Sequence, residues 1–167
     1  MRRGSRSAGI LNFEPLMRRR ELYLLLGSNL GDRQANIEAA AEALDRAFGG
    51  RRLRISEIME TQACGFDGPP FLNAVVVYSS GCRPETILGI CKRIERSLGR
   101  TDAPEYAPDG SRIYRSRTID IDILVYGDTR MHTDVLTIPH PQIYSRPFVA
   151  PLLRQVSCGR CMEVREV

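Results

Sequence analysis

Two carboxylates lie two residues apart in the stretch Arg-Thr-Ile-Asp-Ile-Asp-Ile-Leu that begins at Arg117: Asp120 and Asp122. Ile119, Ile121, Ile123 and Val125 alternate with them as a strand requires, so both acids project from one face, about 7 Å apart at their Cα atoms. Adjacent like charges destabilise a fold unless a cation neutralises them. Mg²⁺ does this with oxygen ligands and needs only one or two carboxylates when substrate phosphates and water complete its shell. The pair therefore reads as a Mg²⁺ and phosphate platform. The plainer alternative is two acids that solvate a sheet face and pair with Arg115 or Arg117. Arg100 and Arg117 bracket a polar segment that also carries Arg112 and Arg115. Guanidiniums carried over bound phosphates by a closing segment suit phosphoryl transfer, in which oxygen charge shifts and water is excluded.

A second group of residues could hold a flat ring. Phe71-Leu72-Asn73 places an aromatic plane and an amide, both donor and acceptor, on one face of a strand, with Leu72 toward the core. Phe148 supplies a second aromatic near His140 and Arg146. His140 stands between Pro139 and Pro141, whose rings hold it in an extended loop. Gly-Ser-Asn-Leu-Gly-Asp (27–32) meets neither Gly-rich nucleotide fingerprint, so Gly27 and Gly31 read as turn residues.

The elements that must position these groups follow from periodicity. Residues 21–27 form a short apolar run closed by glycine, a buried strand. A helix follows, with Ile37, Ala41, Leu44 and Phe48 on one stripe and Asn29 or Asp32 as N-cap. Leu53, Ile55 and Ile58 suggest a strand that pairs antiparallel with a stronger one at 71–79, across the Gly- and Pro-rich loop 61–70. Residues 83–99 open with Pro84 and put Ile87, Ile90 or Cys91, Ile94 and Leu98 on one helical face. Residues 100–116 show no apolar period, the mark of a functional or disordered segment. The Asp-Ile-Asp strand, a turn at Gly127-Asp128, an extended piece to Ile138 and a brief final helix complete the chain. The order predicts an α+β sandwich of one mixed or antiparallel sheet with helices on one side.

Length and charge narrow the function classes. At 167 residues the chain suits one domain. No apolar run approaches the roughly 20 residues that span a bilayer, so no membrane role is expected. The net charge of +4 is local: residues 1–20 hold six arginines and one acid, leaving 18 basic against 19 acidic residues over 21–167. A basic nucleic-acid face has no general support. Residues 1–20 lack the apolar core of a secretory signal and read as a disordered extension, with 21–167 as the single domain. Five cysteines, an odd number, fit a reducing cytoplasm. Cys158 and Cys161 form half of a zinc motif without a second half.

Leu-Gly-Ser-Asn-Leu-Gly-Asp, Phe-Leu-Asn-Ala-Val-Val, Arg-Thr-Ile-Asp-Ile-Asp-Ile-Leu-Val-Tyr-Gly-Asp and Ile-Pro-His-Pro-Gln-Ile-Tyr-Ser-Arg-Pro-Phe-Val-Ala-Pro-Leu-Leu occur in one order over about residues 21–153. In motifs and spacing the chain resembles the 6-hydroxymethyl-7,8-dihydropterin pyrophosphokinase family. The resemblance implies a ferredoxin-like α+β fold and transfer of the β,γ-diphosphate of ATP to the pterin hydroxymethyl group, with release of AMP, in folate biosynthesis. It implies two Mg²⁺ ions at Asp120 and Asp122, and phosphates clamped by Arg100 and Arg117. Phe71 and Phe148 would sandwich the pterin, with Asn73 and Thr61 bonded to its edge. Glu95, Thr137, His140 and Arg146 would line the nucleotide site of a cytoplasmic monomer. Four positions depart from the family pattern: Tyr114 for Trp, Lys92 for Gln, Pro141 for Tyr and Val135 for Arg. A nucleotidyltransferase, which would release pyrophosphate instead of AMP, is the second reading. A non-catalytic ferredoxin-like module that binds RNA or a regulatory ligand is the third; the near-neutral domain and the lack of an aromatic-basic strand motif speak against RNA.

Overall fold

The computed structural model describes residues 18–100, 105–106, 108–110, 112–113 and 116–158. Elements run in the order β1 (Arg20–Ser28), α1 (Arg33–Ala47), β2 (Arg52–Ile55), β3 (Met59–Thr61), β4 (Phe71–Ser80), α2 (Pro84–Ser97), β5 (Glu105–Tyr106), β6 (Arg112–Ile113), β7 (Asp120–Tyr126), β8 (Met131–His132), β9 (Thr137–Ile138), α3 (Gln142–Ser145) and α4 (Val149–Val156). The first strand thus begins inside the stretch read as an extension; of that stretch, residues 1–17 lie outside the described residues, as do Tyr114, Arg115 and Cys161.

The main sheet has the order β2-β4-β1-β7, with β3 also paired to β4, and every pairing is antiparallel. This is the expected α+β arrangement. Its helices, however, are not on one side. Leu22, Leu24, Leu26, Ala74, Val76 and Tyr78 face a core shared with Ile37, Ala41 and Leu44 of α1 and Ile87, Cys91 and Ile94 of α2. Tyr23, Leu25, Val75 and Val77 face a second core closed by Leu152, Leu153 and Val156 of α4. The physical reason stands in the chain: Leu22–Leu26 and Ala74–Tyr78 are unbroken apolar runs, which a strand needs when both of its faces are covered.

Local chemistry sets the boundaries. Asp32 caps α1 by accepting a hydrogen bond from the Ala35 N–H at 3.0 Å, while Asn29 serves elsewhere. Pro84 opens α2, and the one charged side chain on its buried face is Glu95. The alternation expected along β7 slips once. Tyr23 pairs with Val125 but Leu24 with Ile123, so Leu124 is an extra residue. Beyond this bulge Val125 joins the α4 core and Tyr126 the α1/α2 core. The segment read as structureless carries a short ladder, Glu105 opposite Ile113 and Tyr106 opposite Arg112. Leu53, Ile55 and Ile58 are exposed, so their alternation marks an edge strand and its turn rather than core. Among the described residues, no helix is long and apolar enough to cross a membrane.

Candidate active site

The α4 face of the sheet carries Phe71 and Asn73 on β4 and Asp120 and Asp122 on β7. Between them lies β1. Register places Met59, Asn73, Gly27 and Asp120 in one row across four strands, so Asn73 and Asp120 are two strand spacings, about 10 Å, apart. Gly27 is therefore a strand residue and not the turn residue expected. A Cβ there would lie 3.3 Å from Asn73 Oδ1 and 3.5 Å from the Phe71 ring. The absent side chain leaves the gap between amide and carboxylate open.

That gap is a cleft. Its walls include all four residues assigned to a flat ring, Thr61, Phe71, Asn73 and Phe148, together with Arg117, Asp120 and Arg146. Asn73 Nδ2 donates to Thr61 Oγ1 at 2.9 Å and to the Met59 carbonyl at 3.4 Å, which fixes the amide and turns its oxygen toward the Gly27 side. Gln62, Cys64 and Phe66 also line the cleft. These were not legible in the sequence, because a loop has no period to say which side chains turn inward.

Charge is concentrated at the β7 end. Arg100 Nη1 reaches Asp120 Oδ1 at 2.6 Å and Glu95 Oε1 at 2.9 Å, and Arg117 Nη1 reaches Asp120 Oδ2 at 2.8 Å. Burial alone would raise the Asp120 carboxyl, but the Arg117 and Arg100 guanidiniums outweigh it and hold the group at about 2. Asp122 makes no such bond among the described residues, where Lys92 and Arg146 act on it only through their charge. Burial and the Asp120 charge push it up to about 7. Its near neighbour is His140, whose Nε2 stands 4.0 Å from Oδ1. The Gln142 N–H donates to His140 Nδ1 at 3.2 Å, which leaves the ring proton on Nε2, facing Asp122. Burial and Arg146 hold His140 below its usual pKa, against the pull of Asp120.

Glu95 was assigned to nucleotide and is placed deeper. Its carboxylate accepts the Ile121 N–H at 2.8 Å, between the two aspartates, and pairs with Lys92 Nζ at 3.0 Å. Burial, then Asp120, raises its pKa, while Lys92, Arg100 and the Ile121 N–H oppose them. Glu95 thus holds both the β7 backbone and Arg100. Arg146, expected toward nucleotide, lines the ring cleft. Thr137 stands apart on the β8–β9 ribbon, bonded to His132 Nδ1 at 3.1 Å. Of the departures from the family pattern, Lys92 is tied to Glu95, Pro141 precedes α3 and Val135 is exposed.

One buried polar residue escaped notice as a site residue. Asn29 Oδ1 accepts the Arg117 N–H at 2.7 Å, and its Nδ2 donates to Ser116 Oγ at 3.0 Å and to the Pro69 carbonyl at 3.1 Å. It fastens both the start of the Arg117 segment and the 62–70 loop that lines the cleft.

The residues present suit Mg²⁺. Asp120 and Asp122 offer oxygen donors on one strand face, and at Asp122 burial and the Asp120 charge outweigh the pull of Lys92 and Arg146, so a bound cation would favour its ionised form.

An antiparallel α+β sheet that joins an aromatic cleft to paired carboxylates and guanidiniums defines an enzyme of the phosphate-group transferase class. The chain belongs to the 7,8-dihydro-6-hydroxymethylpterin-pyrophosphokinase family, whose model matches residues 23–157. It is 44% identical to a 2-amino-4-hydroxy-6-hydroxymethyldihydropteridine pyrophosphokinase of Porphyromonas gingivalis over 81% of this chain and 90% of that one. It is 32% identical to the enzyme of the same name from Bacillus subtilis over 86% and 80%. A mitochondrial folate synthesis bifunctional protein of Pisum sativum is 41% identical over 80% of this chain, which spans 24% of that protein.

Proposed function

We propose that this chain transfers the terminal diphosphate of ATP to the hydroxymethyl group of 6-hydroxymethyl-7,8-dihydropterin, giving AMP and the pterin diphosphate. One observation carries the reading beyond family membership: a single sheet face sets the ring cleft of Phe71, Asn73 and Phe148 beside Asp120 and Asp122, with only Gly27 between. A hydroxymethyl arm on a ring held in the cleft points at phosphates held by the acids.

The hydroxyl oxygen attacks the β-phosphorus in line as the bond to the α-phosphate oxygen breaks; AMP leaves with that oxygen, and the hydroxyl proton is released to solvent. Asp120 and Asp122 would hold Mg²⁺, two ions in all, shared with the triphosphate. Bound there, the metal neutralises phosphate oxygens and withdraws charge from the bond that breaks. Arg100 and Arg117 are held against Asp120, poised to transfer their hydrogen bonds to phosphate. Asn73 and Thr61 orient the ring edge, and Phe71 and Phe148 exclude water from its faces. His140 and Arg146 border the space between ring and triphosphate, Glu95 supports β7 and Arg100 from behind, and Thr137 would reach the nucleotide from the β8–β9 ribbon. The enzyme is expected to act as a monomer, and the odd number of cysteines suits a reducing cytoplasm.

Incubation with ATP, Mg²⁺ and the hydroxymethyl dihydropterin is expected to yield AMP by chromatography. Pyrophosphate in its place would favour nucleotidyl transfer. Asp122→Ala is expected to lose turnover by about a thousandfold or more while retaining the circular dichroism spectrum of the wild type.

A further inference from the structure

We propose that Phe66 is a third aromatic wall of the ring cleft, a specificity-determining residue presented by the 62–70 loop; the inference rests on the function proposed above. Phe66 is the only large apolar side chain in that loop. Phe48 belongs to the α1/α2 core and Phe148 packs against the α4 core, but neither core includes Phe66 or Phe71. Both of those rings line the cleft. A half-buried aromatic ring in a Gly- and Pro-rich loop, outside every core, is covered only when something flat and apolar enters beside it.

The loop is built to seat this ring. Gly68 does not have a positive φ, so its backbone does not require glycine. A Cβ at Gly68 would lie 2.5 Å from one atom of the Phe66 ring, closer than real contacts of this kind, and 3.1 Å from a second ring atom and from Ser116 Oγ. A side chain at 68 would therefore push the ring out of its present seat. From that seat Phe66 meets Phe71 at a centroid distance of 6.3 Å and an interplanar angle of 89°, the edge-to-face geometry that aromatic pairs prefer. Two rings at right angles make a corner. A heterocycle stacked on Phe71 abuts Phe66, so Phe66 reads the outline of the ring and has no part in the phosphate chemistry.

The test is steady-state kinetics on full-length Phe66→Ala, Phe66→Leu and Phe66→Tyr. Phe66→Ala is expected to raise the pterin KM about tenfold, the loss of one aromatic contact and its buried area. Its KM for ATP should stay within about twofold of wild type, as should kcat. Phe66→Tyr should restore the pterin KM, and Phe66→Leu, which keeps apolar bulk without a ring, should not. An unchanged pterin KM in Phe66→Ala, or a parallel rise in both KM values, overturns the wall. Should Phe66→Ala fail to melt cooperatively, the Leu and Tyr pair decides: equal pterin KM values overturn it. A wild-type protein that forms no AMP overturns the proposed function and this inference with it.

Discussion

At the scale of single residues, the two aspartates are chemically unequal although they stand two positions apart on one strand. Asp120 is bonded to two guanidiniums and is held at about 2; Asp122 feels only the more distant charges of Lys92 and Arg146 and is pushed up to about 7 by burial and by its neighbour. The two pull stability in opposite directions. Asp120 has a depressed folded pKa, so its contribution is complete above its ordinary 3.8 and is lost as pH falls toward 2. For Asp122, between 3.8 and about 7 the folded protein binds the proton that the unfolded chain has released, so stability falls as pH rises through that window. In metal-free protein, Asp122→Asn is therefore expected to melt higher than wild type at pH 8, by roughly 5 °C, with the difference gone at pH 4. Scanning calorimetry across that range checks this. A variant that is more stable yet inactive is the signature of a carboxylate kept for its substrate rather than its fold.

At the scale of elements, the cleft depends on how β1 ends. Gly27 keeps the row between Asn73 and Asp120 open, and two residues later the Asn29 amide ties Arg117 to the loop at Pro69. Arg33, in the first turn of α1, adds a bond to the Pro70 carbonyl at 2.8 Å and an ion pair with Glu60 at 2.8 Å. One strand end and the helix after it thus hold both loops that face the substrates. Asn29→Ala removes an acceptor and two donors from a buried site and is expected to cost about 1–3 kcal/mol in urea unfolding. It should also raise the pterin KM and lower kcat together, since the Pro69 loop and the Arg117 backbone both lose their tether. Asn29→Asp keeps the acceptor for the Arg117 N–H, so its kcat should lie closer to wild type while its pterin KM stays raised. Steady-state kinetics separates the two outcomes.

At the scale of the whole molecule, one five-stranded sheet is covered on both faces, and the site occupies the end of the face that α4 only partly covers. The α1/α2 core stabilises the sheet from behind, and α4 with Phe148 at its start forms the far wall of the cleft. Stability and chemistry are therefore separable. Leu152 is fully buried in the α4 core and does not line the cleft. Leu152→Ala is expected to lose about 2–5 kcal/mol of stability while keeping a near wild-type pterin KM at temperatures where it remains folded; urea melts and initial rates measure the two.

The chain by itself determined its elements and its chemistry, because both are written in local pattern. Apolar runs placed β1 and β4, the 3.6-residue stripe placed α1 and α2, and the spacing of Asp120 with Asp122 set both acids on one face whatever the sheet around them. Tertiary structure alone decided which groups meet. Periodicity names the buried side of a helix but not which face of the sheet receives it, so it does not separate the expected sheet with helices on one side from the observed one covered on both. It marks no difference between a glycine that ends a strand and one that continues it, so Gly27 read as a turn. Asn29 with Arg117 and Arg100 with Asp120 join residues 88 and 20 apart in sequence through sheet register, while Arg117 with Asp120 and Phe66 with Phe71 are near in sequence but meet only because of how their loops close, and no local pattern records either kind of contact.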